Sequence, residues 1–119
     1  MASTVTSREA MDACAAFPAV ELSYPFGEET PVFKVVGKVF AILNAEEGPG
    51  VITLKADPED ARALVSEFDE VTPGYHMNKK HWISVALPPG RAPIGELIAD
   101  SYRLVVAGLP RDRRPALDM

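Results

Sequence analysis

Ten consecutive residues in the second half of the chain hold most of the side chains that could bind a ligand or react. Residues 73–82 read PGYHMNKKHW and contain both histidines, two lysines, an amide and two aromatic rings. Lysines attract anions, the amide of Asn78 gives a directional hydrogen bond, and rings such as Tyr75, His76 and Trp82 can stack on bases. The segment is therefore interpreted as a binding loop, although Tyr75 and Trp82 are equally compatible with a structural role in the core.

The charge along the chain supports an anion-binding interpretation for this region. The net charge is -5, but residues 1–70 hold five basic and thirteen acidic side chains, a balance of -8. Residues 71–114 hold seven basic and three acidic side chains, a balance of +4. A local basic surface on an acidic protein can bind polyanions where the whole molecule would repel them. The predicted nucleic-acid or anion-binding residues are Lys34, Tyr75, His76, Asn78, Lys79, Lys80, His81 and Arg91.

Templates for catalysis and metal binding are incomplete. His76 and His81 are five residues apart, which does not match the i, i+4 pair of a helical zinc site. Cys14 is the only cysteine and lies on the apolar side of a predicted helix, as a small core residue does. We predict no catalytic residue, metal or cofactor. A hydrolase in which His76 pairs with Glu28 or Glu29 is a weaker alternative that requires a contact of about 3 Å.

The elements that position these residues follow from apolar periodicity and turn signals. Helical spacing predicts helices over 6–17, with Thr6 and Glu9 in capping-box register, from Asp57 as N-cap and Pro58 as first helical residue through Phe68, and from 93 to 109. Val36-Gly37-Lys38 predicts a tight hairpin turn. Runs rich in β-branched and aromatic residues predict strands at 22–26, 32–36, 39–43, 51–54 and 82–87. The order is αββββαβα, and the short connections between strands imply an α+β fold with an antiparallel sheet of about five strands.

Length and composition set the domain organisation. A chain of 119 residues with 47% hydrophobic residues has room for one domain spanning 1–119, with a flexible tail at 111–119. No apolar run reaches the roughly 20 residues that span a bilayer. The polar start and the single cysteine fit a cytoplasmic protein without a disulfide. The oligomeric state is not encoded in any pattern of the sequence.

The chain resembles the MmcQ/YjbR-like proteins of bacteria. The resemblance rests on Tyr24-Pro25-Phe26-Gly27, on Leu54-Lys55 followed by Asp57-Pro58, on the 73–82 segment, and on 100–106 followed by Gly108-Leu109-Pro110. It implies a small α+β fold similar to the frataxin-like fold and to the double-wing DNA-binding domain of a phage transcription factor. It also implies DNA as the partner, with contacts from Lys34, Lys79, Lys80 and Arg91, although a shared fold alone does not establish a shared function.

Two functions of different classes follow from these observations. The first is a non-enzymatic domain that binds DNA weakly through residues 75–82 and the adjoining strands. The alternative is a module that binds a protein or a small anionic ligand through the same segment.

Overall fold

A computed structural model describes residues 6–44, 50–74 and 80–115. Within these ranges the chain forms three α-helices, six strands and a final 3-10 helix. In chain order they are α1 (Ser7–Ala15), β1 (Val20–Ser23), β2 (Val32–Val35), β3 (Lys38–Asn44), β4 (Val51–Lys55), α2 (Pro58–Glu67), β5 (Val71–Pro73), β6 (Trp82–Ala86), α3 (Ile94–Ala107) and η1 (Arg111–Arg113).

The helix starts follow the local sequence signals. Thr6 and Glu9 form the expected capping box, in which the Glu9 backbone N–H donates to Thr6 Oγ1 at 3.2 Å. Helix α2 begins at Pro58, as predicted, but the Asp57 carboxylate makes no capping hydrogen bond. Proline is well suited to this position because its fixed φ is already helical and it has no N–H to leave unpaired.

All six strands belong to one antiparallel sheet with the order β1-β2-β3-β4-β6-β5. Val36 and Gly37, both with positive φ, form the predicted tight turn between β2 and β3. The last residues of β2, β4 and β5 lie beside the first residues of β1, β3 and β6. We call this end of the strands the Trp82 end of the sheet, and the opposite end of the strands the Arg91 end.

Two expectations about the strands need correction. The prediction of about five strands missed β5, a three-residue strand that ends in Pro73 and was read as part of a turn. The first strand is Val20–Ser23 rather than 22–26, because the Gly27 N–H donates to the Tyr24 carbonyl and closes a turn there. The α+β class, the antiparallel pairing and the helix positions are confirmed.

The three helices pack toward one face of the sheet, where the hydrophobic core lies. The strands contribute alternate residues such as Leu43, Ile52 and Val85 to this core. At a β-bulge opposite Phe33 and Lys34, the extra residue Phe40 adds a second consecutive side chain to the same face.

An aromatic cluster connects the bulge to the helices. The ring centroids of Phe40 and of Tyr102 on α3 lie 5.3 Å apart. The Tyr102 ring stacks on the ring of Phe17 with 4.6 Å between the centroids. The buried Tyr102 hydroxyl donates to the Pro18 carbonyl at 2.6 Å. Aromatic pairs of this kind add about 1 kcal/mol each beyond the area that they bury.

Part of the tail predicted to be flexible carries regular structure. Residues 111–113 form η1, and the Arg114 guanidinium donates to the carbonyls of Leu109 and Ala107 near the end of α3. These carbonyls lie where a helix leaves its last acceptors unpaired, so the arginine also complements the negative end of the helix dipole.

Candidate nucleic-acid interface

The sheet face opposite the core carries a continuous row of side chains across all six strands. Cross-strand pairing aligns these residues, and side-chain alternation directs them away from the core face. We call this face the open face, and we call the row the hydroxyl row after the four of its six members that carry a hydroxyl group. Its members are Ser23, Val32, Ile42, Thr53, Ser84 and Thr72.

The centre of the hydroxyl row is polar, compact and internally bonded. Thr53 Oγ1 and Ser84 Oγ lie 3.1 Å apart, and the Thr72 hydroxyl approaches the Ser84 carbonyl at 3.5 Å. Thr53 and Ser84 are only 9% and 4% exposed. Hydroxyl groups both donate and accept, so these side chains satisfy one another and the centre of the row is polar but largely closed to solvent.

Beside the hydroxyl row, toward the Trp82 end of the sheet, lie two lysines and the tryptophan. Phe33 and Leu54 both pair with Ala41 from opposite sides, so the residues that follow them, Lys34 and Lys55, reach the open face at equal height. Two strand spacings place their Cα atoms about 10 Å apart. Lys55 pairs directly with Trp82. We call Lys34, Lys55 and Trp82 the lysine–tryptophan set.

The backbone of Lys55 is held by a buried serine on α3. The Lys55 N–H donates to Ser101 Oγ at 2.8 Å, and the Ser101 hydroxyl donates to the Phe40 carbonyl at 2.6 Å. Ser101 is fully buried. One side chain therefore joins α3 to the bulge of β3 and to the end of β4, which fixes the position of Lys55 on the open face.

Trp82 is held by close backbone packing against β5. The Gly74 N–H donates to the Trp82 carbonyl at 2.8 Å, and a Cβ added to Gly74 would lie 2.5 Å from Trp82 Cβ. The Ala56 N–H donates to the His81 carbonyl at 2.8 Å on the other side. The start of β6 is thus fixed by hydrogen bonds on both flanks.

Among the described residues, the members of the predicted site do not form one cluster. Lys80 and His81 are exposed in the turn before β6, and Lys34 lies on the open face. Arg91 follows β6 at the other end of the sheet, where the Glu70 carboxylate accepts from its backbone N–H at 3.2 Å. Tyr75, His76, Asn78 and Lys79 lie outside the described residues.

The proposed pairing of His76 with Glu28 or Glu29 also falls outside the described residues on the histidine side. The residues that flank the segment, Gly74 and Trp82, lie at the Trp82 end of the sheet. Glu28 and Glu29 lie between β1 and β2 at the Arg91 end, near the other edge of the sheet.

Sequence reasoning missed Lys55 as a site residue. Its signal was the alternation of Val51, Thr53 and Lys55 with the apolar Ile52 and Leu54, which marks a strand with one exposed face. The order of the strands in the sheet decides which exposed side chains become neighbours. The sequence does not specify that order, and the structure shows it.

The electrostatics of the open face are mixed. Glu21 on β1 pairs across strands with Lys34, so a carboxylate limits the positive potential at this side. Among residues 6–44, 50–74 and 80–115, no group of three histidine, cysteine or acidic side chains could hold a metal ion. Over the same ranges, no helix is long and apolar enough to cross a membrane.

Comparison with known proteins identifies relatives along nearly the whole chain. The YjbR family model matches residues 15–104. YbdF of Escherichia coli O157:H7 is 46% identical over 98 residues, which cover 79% of each chain. YjbR of Escherichia coli K12 is 32% identical over 116 residues, which cover 95% of this chain and 98% of that protein.

Solved structures show the same fold. The Deinococcus radiodurans protein DR2400, which carries the domain DUF419, superposes with a TM-score of 0.82 at 34% identity, covering 93% of this chain and 86% of that chain. A Pseudomonas syringae protein superposes with a TM-score of 0.71 at 28% identity, covering 84% and 98%. The resemblance to YjbR-like proteins inferred from sequence motifs is confirmed, and the chain belongs to the YjbR family.

Proposed function

We propose that this protein binds nucleic acid through the open face of its sheet. The observation that supports the proposal is the lysine–tryptophan set, which combines two ammonium groups with an aromatic ring, all partly exposed, on the sheet face opposite the core. Lys80 lies in the turn directly before Trp82 and extends the basic character of this end of the sheet.

The composition of the open face favours weak, sequence-tolerant binding. Lysines contact phosphates without reading the bases, and an aromatic ring can stack on any base. The open face has few cations, and the Glu21 carboxylate lies across from Lys34, so the electrostatic contribution to the affinity for DNA is small. Three phosphate contacts, from Lys34, Lys55 and Lys80, predict a slope of log K against log salt of about -2 for single strands and about -3 for duplex.

The experiment is a fluorescence anisotropy titration with labelled DNA of about 12 nucleotides, single-stranded and duplex, at about 50 mM salt and upward. The test variant is Lys34→Ala with Lys55→Ala. The matched control is Lys38→Ala with Arg103→Ala, which removes the same charge from the start of β3 and from α3. We expect the test variant to weaken binding about tenfold or more and the control to weaken it by less than about threefold.

Two results would contradict the proposal. Absence of binding to either form of DNA at low salt would exclude it directly. Equal weakening by the test and control variants would show that only net charge matters and that the open face has no specific role.

A small anionic ligand is a second candidate, favoured by the partly exposed Lys55 on the same face and strand as the Thr53 hydroxyl. Hydroxyl groups next to an ammonium group fit a phosphate or carboxylate. Trp82 is the only tryptophan in the chain, so its fluorescence reports directly on this location. Titration with inorganic phosphate and with adenosine monophosphate tests this candidate. Saturable quenching that Thr53→Val abolishes would support it, and an unchanged spectrum would exclude it.

A further inference from the structure

The outer edge of β1 presents an unusual exposed apolar surface. Strand β1 is one of the two edge strands of the sheet, and the other is the three-residue strand β5, which finishes in a proline. An edge strand carries backbone N–H and C=O groups that point away from the sheet and can pair with another chain. Pro73 has no N–H to offer, so β1 is the edge better suited to accept a further strand.

Three of the four large hydrophobic side chains that are exposed in the described part of the chain lie on β1 or directly after it. Leu22 is 43% exposed, Tyr24 45% and Phe26 71%. The turn closed by Tyr24 and Gly27 places Phe26 at its third position, after Pro25. Turn tips usually carry small or polar residues, so an exposed phenylalanine there is unexpected for a purely structural turn. We call Leu22, Tyr24 and Phe26 the β1 edge patch.

Carboxylates surround the β1 edge patch. Glu21 lies on β1 itself, and Glu28 and Glu29 follow the turn. None of the three forms an ion pair with a residue in the described ranges. An apolar surface bordered by unpaired negative charge complements a partner that is apolar and positively charged.

The same charges argue against a second copy of this chain as the occupant. Pairing β1 with β1 of another copy would bring both sets of carboxylates together on two molecules that each have a net charge of -5. Like charges that face each other across an interface destabilise it. The occupant that fits the edge is a different, basic chain.

We propose that the β1 edge binds an extended segment of another protein as an additional strand, and that this segment alternates apolar with basic residues. The alternation follows from β1, whose Leu22 is directed toward the helix side and whose Glu21 and Ser23 are directed toward the open face. Backbone hydrogen bonds supply affinity in this binding mode, and alternate side chains supply specificity. The proposal does not depend on nucleic-acid binding.

The test uses a fluorescent, end-blocked peptide of roughly seven residues in which lysine and valine alternate, a length that fits a short strand. One control peptide replaces every lysine with glutamate. A second keeps all side chains but carries N-methyl groups on alternate valines, which removes the backbone donors on one edge. We expect the lysine peptide to bind at least about tenfold more tightly than either control.

Protein variants locate the binding surface. Phe26→Ala with Leu22→Thr should weaken peptide binding about tenfold, and Glu28→Lys with Glu29→Lys should shift the preference toward the glutamate peptide. Val51→Ala is the matched control, because Val51 is the fourth exposed large hydrophobic residue and lies on the open face. The Phe26 and Leu22 changes should leave DNA binding unaltered, so failure of one proposal is distinguishable from failure of the other.

Four outcomes would overturn the strand-addition proposal. They are no binding of the lysine peptide at about 1 mM, equal binding of the glutamate or the N-methylated peptide, unchanged binding by the Phe26 and Leu22 variant, and self-association in sedimentation that this variant abolishes. The last result would assign the edge to a second copy instead.

Discussion

At the scale of single residues, Ser101 makes the most consequential buried contact. Its hydroxyl is the shared partner of the Phe40 carbonyl on β3 and the Lys55 N–H on β4. This contact lies at the bulge of β3, where one side chain on a helix joins the backbones of two neighbouring strands.

Ser101→Ala should destabilise the protein by about 3 kcal/mol, because it leaves a buried donor and a buried acceptor unsatisfied. The measurement is urea-induced unfolding followed by Trp82 fluorescence. Ser23→Ala, on the half-exposed edge strand, serves as the control and should change the free energy of unfolding by less than about 0.5 kcal/mol. Equal values for the two variants would show that the Ser101 contacts contribute nothing.

Cys14 makes the stability depend on alkaline pH. Burial raises the pKa of its thiol from 9.0 to about 12. Above pH 9 the unfolded chain therefore loses the thiol proton while the folded chain keeps it, so the free energy of unfolding falls as pH rises. Burial also raises the pKa of Tyr102, whose contribution begins above its ordinary value of 10.0.

Cys14→Ala should flatten the pH dependence between 9.0 and 10.0, where the wild-type slope approaches about 1.4 kcal/mol per pH unit. The measurement is a series of urea unfolding curves under reducing conditions, and the slopes are compared rather than the absolute values. A variant slope as steep as that of the wild type would contradict the assignment.

At the scale of elements, β5 depends on the missing side chain of Gly74. A Cβ there would lie 2.9 Å from the carbonyl carbon and oxygen of Trp82, and backbone cannot move aside as a flexible side chain can. Contact of β5 with β6 therefore requires glycine at this position. Gly95, in the first turn of α3, has open space where its Cβ would lie.

Gly74→Ala and Gly95→Ala should change stability in opposite directions. The first should lower the melting temperature by several degrees, as a destabilisation of about 1–3 kcal/mol does in a domain of this size. The second should stabilise the protein by about 0.5–1 kcal/mol, because alanine favours the helix over glycine. Differential scanning calorimetry measures both, and a neutral Gly74→Ala would show that β5 can shift without loss.

The elements also show how far the sequence predicts the structure. Periodicity, the Thr6 capping box and Pro58 were sufficient for the helices, and the turn at Val36 and Gly37 was sufficient for one hairpin. Strand β5 was not predicted because three residues, the last of them a proline, have no alternation to detect. Of the residues in the proposed site, Lys34 was selected from the sequence but Lys55 was not, since their proximity depends on β3 lying between β2 and β4.

At the scale of the whole molecule, one sheet and one core cluster connect all three helices. Helices α1 and α3 share strands β3 and β4, and α2 packs on β5 and β6 of the same sheet, so no part of the described fold has a core of its own. The single domain expected from chain length is testable in these terms.

Thermal unfolding should be a single cooperative transition with an enthalpy of about 80 kcal/mol at the midpoint. Calorimetry gives this value directly, and the van't Hoff enthalpy calculated from the same curve should equal it. Two resolved transitions, or a van't Hoff enthalpy well below the calorimetric one, would show that a segment unfolds independently.

The division of the sheet into a packed face and an open face separates two kinds of selection on neighbouring residues. Ile52 and Leu54 are buried against the helices, whereas the side chain of Lys55, adjacent in sequence, is partly exposed on the opposite face. Exposed positions of the open face can therefore change in chemistry with less effect on the core than their sequence neighbours. For the same reason, the open face is a practical place to introduce new binding specificities into this scaffold.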